Sequence, residues 1–363
     1  MGYRIGVLPG DGIGPEVTAA ACMVLSAAAE RTGVRLELTE YPAGSGLYRD
    51  TGESMSEATF AALETADAVL LGAMGIPSVR RPDGTEEGPQ VDLRDRFGLF
   101  ASLRPCRRYP GVPSRVDAPG VDMLVIRETT EGLFAGRHDQ AESSPNSASD
   151  RMTITRATSE KLFELAFREA PRRRAAGRSP GRVTLLDKAN ALRSQAFLRS
   201  IFLEVATRHP GIESECLYVD AGMMLLVTAP ERFDVVVSEN IFGDIASEVA
   251  AGVVGGLGVA PSGDVSGTRG VFQPSHGSAP DIAGKGLANP VAAILSGAMM
   301  LRWLGQRRGD ERLLKAAAAI DAAVEATLVR GPRTPDIGGS AGTREVTEAI
   351  RAWLDTPTAL SQA

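Results

Sequence analysis

The sequence contains no apolar run long enough to cross a bilayer and no basic-then-apolar leader at Met1, so the expectation is a soluble, unexported, cytoplasmic protein with no membrane partner. Cysteine is scarce: Cys22, Cys106 and Cys216 are odd in number, far apart and without the CxxC spacing of a metal or redox site, which leaves reduced core or surface thiols. There is no excess of basic charge either. A net charge of −6 argues against a nucleic-acid partner, which needs a basic face to neutralise phosphates. Lysine is rare, accounting for four of the 39 basic residues (Lys161, Lys188, Lys285 and Lys315), so a lysine that does occur deserves scrutiny. No internal repeat is present.

What the chain does have is room for two domains in its 363 residues, with 43% hydrophobic side chains to fill their cores. YRIGVL reads as a strand, and PEVTAAACMVLSAAAER as a helix opened by Pro15 and closed by Gly33; VRLELTEY is a second strand. Further strands are expected at 66–74, 121–128, 182–189, 215–220 and 233–240, with helical segments between most of them, giving an α/β fold with a largely parallel central sheet. Residues 75–90 and 136–151 lack periodicity and read as long loops of functional or interface kind. The segment from Asn289 is apolar on nearly every face and reads as a buried helix with Asn289 as cap and Pro290 at the first position. The basic cluster at 171–178 reads as the end of a helix.

Four motifs carry candidate chemistry. LPGDGIGPE (8–16) places three glycines between a strand and a helix, but the third comes one residue too early for a dinucleotide fingerprint, which leaves a tight, ligand-lining turn. In ENIFGDIASE (239–248), Asp244 and Glu248 lie four apart on one helix face and suit a hard divalent cation, Mg²⁺ or Mn²⁺; by itself such a pair is usually just a solvated helix face. Its place after a very apolar strand, where α/β proteins hold ligands, favours the metal, and Asp220 after another strand offers a third carboxylate. Lys188 in LLDKAN is a candidate general base, with a salt bridge to Asp187 as the plainer alternative. Arg94, Arg104 and Arg127 have the fork geometry to grip a dicarboxylic acid, though so arginine-rich a chain also yields such a triple by coincidence.

Together, in this order, the motifs resemble the β-decarboxylating dehydrogenase family, whose members include isopropylmalate, isocitrate, homoisocitrate, malate and tartrate dehydrogenases; the pattern is nearest to isopropylmalate dehydrogenase-like members. The most specific stretch is HGSAPDIAGKGLANPVAAILSGAMML (276–301), supported by LPGDGIGPE, FDVVVSENIFGDI, DKAN, YVDA and PDIGGSAGT (335–343). The resemblance implies the isopropylmalate dehydrogenase-like fold rather than a Rossmann fold. A discontinuous cofactor domain (1–100 plus 255–363) would join a substrate, metal and dimerisation domain (101–254) with a dimer arm around 129–155. It also implies a homodimer with shared active sites, in which Lys188 and Asp220 reach the neighbouring subunit's site. Asp220, Asp244 and Glu248 would be metal ligands. Arg94, Arg104 and Arg127 would clamp a malate-type substrate that Gln90, Val91, Asn190 and Ala191 also line. Ile13 and the loop residues His276, Gly277, Ser278, Ala279, Pro280, Asp281, Ile282 and Asn289 would hold the cofactor, and Asp281 favours NAD over NADP by repelling a 2′-phosphate.

Departures from the family pattern qualify this expectation. Glu248 stands where an aspartate is usual. Phe134 stands where a tyrosine supplies the proton that completes decarboxylation, a proton phenylalanine does not have. Gln90, Val91 and Ala191 replace two leucines and a valine of isopropylmalate enzymes, pointing to a more polar C3 group. The readings are therefore NAD- and metal-dependent oxidative decarboxylation of a malate-type 2-hydroxy acid, oxidation that stops at the keto acid, or a non-catalytic subunit of a hetero-oligomer. In the first, water or a side chain such as His138 replaces the phenol.

Overall fold

Apolar runs punctuated by glycine alternate with capped helices from the start of the chain, and the computed structural model describes residues 2–136, 142–144, 146–177 and 181–356. β1 (Gly2–Gly10) leads through α1 (Gly14–Arg31), which has Pro15 in its first turn, to β2 (Arg35–Glu40). There follow α2 (Ser45–Thr51), α3 (Glu57–Glu64), β3 (Ala68–Ala73), α4 (Pro89–Phe97), β4 (Ala101–Arg107) and β5 (Asp122–Glu128). A small hairpin, β6 (Glu142–Ser144) and β7 (Ser147–Ser149), precedes α5 (Arg156–Ala175), β8 (Arg182–Asp187), α6 (Arg193–Ala206), β9 (Glu213–Tyr218) and α7 (Val219–Thr228). The chain continues with β10 (Val235–Ser238), α8 (Asn240–Val254), β11 (Pro261–Val265) and β12 (Gly270–Pro274). It closes with α9 (Val291–Arg308), α10 (Glu311–Arg330) and α11 (Thr343–Leu354).

Ten of these strands form one sheet in the order β2-β1-β3-β12-β11-β4-β5-β10-β8-β9. Pairing is parallel toward both edges and antiparallel only at the centre, where β11 meets β12 and β4, and β4 meets β5. Helices pack on both faces, and α9 is buried along most of its length, as its all-round apolar sequence requires. The α/β class and the largely parallel sheet thus agree with the sequence reading.

Several local expectations are corrected. β4, β11 and β12 are strands that the sequence pattern did not reveal. Asp220 lies in the first turn of α7 rather than at a strand end. α9 starts one residue later than expected, although Asn289 Oδ1 still accepts the Val291 amide at 3.0 Å. The basic cluster does more than suit a helix end: Arg173 is buried and holds Asp234 at 2.6 Å and Asp122 at 3.0 Å. The stretch read as a loop at 136–151 contains the β6–β7 hairpin, and His138 lies outside the described residues.

Candidate active site

Side chains alternate across a strand, so Ser102 and Arg104 on β4 share a face with Arg127 on β5, Ser102 lying directly opposite Arg127. α8 covers this face. Glu239 caps it by accepting the amides of Ile241 and Phe242, and Gly243 lies so close that a Cβ there would come within 2.9 Å of the Arg127 Cβ. The helix thereby lowers Asp244 and Glu248, one turn apart, onto the arginines. Arg104 reaches Asp244 at 3.1 Å, Glu248 at 3.3 Å and the Ser247 hydroxyl at 2.8 Å. Arg127 pairs with Asp244 and donates from Nη2 to Asn240 Oδ1 at 2.7 Å. Arg94, projecting from α4, donates from Nε to Asp264 of β11 at 2.8 Å.

All three guanidinium groups are buried, which is rare for arginine and requires paired charge. Burial pushes Arg127 down to about 9, with Arg94 and Arg104 acting in the same direction and Asp244 and Asp264 opposing. Burial also raises Glu248 above the usual carboxylate range against the pull of Arg104. The Phe134 ring lies 5.7 Å from the Arg127 guanidinium carbon, a cation–π distance. Nearby, Gln90 Oε1 at the start of α4 is buried without a hydrogen-bond partner.

Lys188 and Asp220 form a pair of their own. Lys188 Nζ lies 2.8 Å from Asp220 Oδ1, and the hydrogen bond lowers the Asp220 pKa. The alternative bridge from Lys188 to Asp187 does not form, because Asp187 is fully buried and taken by both forks of Arg199 at 2.7 and 2.8 Å. Asn190 and Ala191 are exposed on the turn that follows. Among the described residues no three of histidine, cysteine, aspartate or glutamate converge as a metal site, so within one chain Asp220 does not join Asp244 and Glu248. The two carboxylates of α8 nonetheless fit Mg²⁺ or Mn²⁺, which typically take one or two carboxylates and complete their shell with water and substrate oxygens. Met224 and Val227 on α7 and Ile245 on α8 are exposed apolar side chains.

The glycine turn and the 276–289 loop meet. The Ile13 amide donates to Ser278 O at 2.8 Å, and a Cβ on Gly12 would sit 2.0 Å from that same oxygen, so only glycine fits. The Ile13 side chain itself is buried in the main apolar cluster. Ala279 has φ +37, alone among the described non-glycine residues in the left-handed region, and such local strain commonly marks a ligand-binding loop. His276 Nδ1 lies 2.9 Å from Gly277 O, which places the ring proton there, while Nε2 is buried with no partner. Burial lowers its pKa, so the ring is neutral and Nε2 is an unused acceptor. Asn289 donates to Asp336 at 3.0 Å, and the Thr343 amide to Gly286 O at 2.8 Å, which closes the 335–343 segment over the loop. Asp281 is exposed beside Ile282 and Pro280. An unused buried acceptor and a strained, glycine-cradled loop fit a nucleotide.

The family model described as isocitrate/isopropylmalate dehydrogenase matches residues 4–350. The chain belongs to that family. As a β-decarboxylating dehydrogenase by family, it is an oxidoreductase of a class that acts on hydroxy acids, generally with NAD(P) and Mg²⁺ or Mn²⁺. It is 43% identical to an isocitrate/homoisocitrate dehydrogenase of Thermus thermophilus over 96% of this chain and 98% of that one. It is 40% identical to a 3-isopropylmalate/3-methylmalate dehydrogenase of Methanocaldococcus jannaschii, over the same shares of the two chains. The solved isocitrate dehydrogenase of Methylococcus capsulatus superposes with a TM-score of 0.86 at 34% identity, covering 98% of this chain and all of the other.

Sequence reasoning about the dehydrogenase missed Asp264, Asn240 and Ser247, each bonded to a clamp arginine. Asp264 is 1% exposed; burial alone would raise its pKa, but Arg94, Ser102 and Arg104 outweigh it and hold the carboxyl below its ordinary value. Asn240 and Ser247 lie within the ENIFGDIASE motif and were within reach of a helical-wheel argument. The single aspartate of PSGDV gave no such signal. No helix among the described residues is long and apolar enough to cross a membrane. The thiols of Cys22, Cys106 and Cys216 are unpaired, and burial pushes them up to about 11, 12 and 11, which makes them poor nucleophiles.

Proposed function

We propose that this dehydrogenase oxidises and decarboxylates a malate-type 2-hydroxy acid with NAD and a divalent metal, as a homodimer with shared active sites. The observation that supports it most is the buried convergence of Arg104 and Arg127 on Asp244 and Glu248, with Arg94 coupled electrostatically to the same group. Arg94, Arg104 and Arg127 bind and orient the substrate carboxylates. Asp244 and Glu248, with Asp220 of a second subunit, would hold the metal, whose chemistry there would be that of a Lewis acid beside the substrate oxygens. Lys188 would take the substrate's hydroxyl proton, NAD when bound supplying the hydride acceptor. Asp281 would receive the adenosine ribose, and the unpartnered Nε2 of His276 would be an acceptor for the nucleotide. Residues 1–100 with 255–363 form the cofactor domain, and 101–254 the substrate domain. The unpartnered Gln90 Oε1 favours a C3 substituent more polar than isopropyl. The test is a panel of isopropylmalate, malate, tartrate, isocitrate and homoisocitrate, with NADH and CO₂ measured for each; no NADH from any of them overturns the proposal.

A second reading is favoured by one observation. Phe134 lies at cation–π distance from Arg127 yet has no hydroxyl to protonate an enolate carbon. Oxidation then stops at the keto acid, and NADH appears without stoichiometric CO₂.

A further inference from the structure

The strands that carry the arginines have a second side. On β4, Leu103 and Pro105 point away from Ser102 and Arg104, and on β11 Gly263 lies opposite Leu103 while Asp264 lies opposite Ser102. This reverse face is open at the centre of the sheet. A cleft of about 1270 Å³ descends between α5 and α9 to a floor that includes Phe100, Leu103, Pro105, Leu124, Phe272 and Trp303. Leu103 and Pro105 remain partly exposed, whereas Ser102, Arg104 and Cys106 of the same strand are buried.

The walls are charged in a particular way. Lys161, Arg168 and Arg172 recur along one face of α5, and Arg302 and Arg307 face them from α9. The acids of the α5 wall are already engaged: Glu160 with Arg156 at 3.2 Å, Glu164 with Arg208 at 2.9 Å, and Glu169 with Arg172 at 2.7 Å. Arg302 pairs with Asp321, and Arg307 donates to Thr268 O at 2.6 Å. Lys161 and Arg168 have no hydrogen-bond or ion-pair partner among the described residues, and none of the cleft's acids is left to neutralise them. A concave apolar floor beneath two uncompensated cations is complementary to a ligand that is apolar at one end and anionic at the other. A cleft between two helix walls suits a small molecule better than a flat protein surface does.

We propose that this cleft is a binding site, separate from the active site, for a small amphipathic anion whose apolar body rests on the floor and whose carboxylate or phosphate is held at Lys161 and Arg168. Anilinonaphthalene sulfonate, a fluorescent amphipathic anion, is a direct probe. Titrated into the intact enzyme with saturating NAD present, it is expected to bind and to receive excitation energy chiefly from Trp303 in the floor, so that Trp303→Phe reduces the signal to that of the remaining Trp353. The double variant Lys161→Glu, Arg168→Glu alters two exposed residues outside the catalytic machinery. It is expected to raise the Kd roughly tenfold by placing like charge against the sulfonate, with unfolding temperature and dehydrogenase activity unchanged. The proposal is overturned by a Kd that ignores the charge reversal or by binding that occurs without NAD but is abolished when NAD is saturating. It is also overturned by loss of binding in Met224→Asp instead, or by dye uptake that falls with protein concentration because a second copy covers the cleft.

Discussion

Arg94 and Asp264 are 170 positions apart in the chain and 2.8 Å apart in the fold, joined through Nε and a carboxylate buried at the sheet centre. The bond uses one edge of the guanidinium and fixes its plane. Asp264→Asn keeps the shape and removes the charge. Its expected effect is a roughly tenfold rise in KM for the hydroxy acid with kcat little changed, because a ground-state grip has been loosened. Breaking one partner out of a buried pair also lowers unfolding stability by about 3 kcal/mol. Steady-state kinetics and urea unfolding of the same variant check both; an unchanged KM removes Arg94 from the substrate clamp.

Phe134→Tyr adds a phenol where the ring already lies 5.7 Å from the Arg127 guanidinium carbon. If the missing proton limits turnover, CO₂ release rises roughly tenfold or more, equivalent to about 1.4 kcal/mol of barrier. An unchanged rate means that the enzyme has another proton source or does not need one. Measuring CO₂ beside NADH separates the decarboxylating reading from the one that stops at the keto acid.

Shared active sites make a prediction about mixtures. Lys188→Ala and Asp244→Asn are each expected to be inactive as homodimers. Unfolded together and refolded, they form mixed dimers in which one of the two sites draws every residue intact, so activity returns to about a quarter of wild type under random pairing. No recovery would place Lys188 and Asp244 in the same subunit's site.

His276 carries a pH signature. Its folded pKa is lowered by burial from the ordinary 6.5, so between the two values the unfolded chain binds more protons than the folded one. The folded state is therefore fully favoured above about pH 6.5 and loses stability as pH falls below it. His276→Gln, which cannot titrate, is expected to show a shallower loss between about pH 7 and pH 5 in urea unfolding. Equal slopes would show that the ring is solvated.

The sequence was most legible where burial on both faces leaves an uninterrupted apolar run. β3, β5, β8 and β10 are of this kind, and the charged or hydroxyl residues at their ends were the right places to look for a site. β11 (PSGDV) and β12 (GVFQP) were illegible for the opposite reason. Proline, glycine and aspartate dominate them, and neighbouring strands rather than their own propensity hold them extended. Asp264 was lost with them, since its role depends on a pairing between distant parts of the chain. Lys188 stood out through the scarcity of lysine, but its partner, Asp220 rather than Asp187, was decided by Arg199 occupying the nearer carboxylate.

The placement of β11 and β12 bears on how the protein is made. β3 and β4 are separated in the sheet by these two strands, which leave the ribosome only after β4, β5, β8, β9 and β10. Until they emerge, β3 and β4 each keep an unpaired edge at what becomes the middle of the sheet, the kind of edge that recruits other chains. Synthesis thus holds two half-sheets apart until a late hairpin joins them. A nascent chain stalled short of residue 274 is expected to aggregate through those edges, whereas one that has passed it has none left at the sheet's centre.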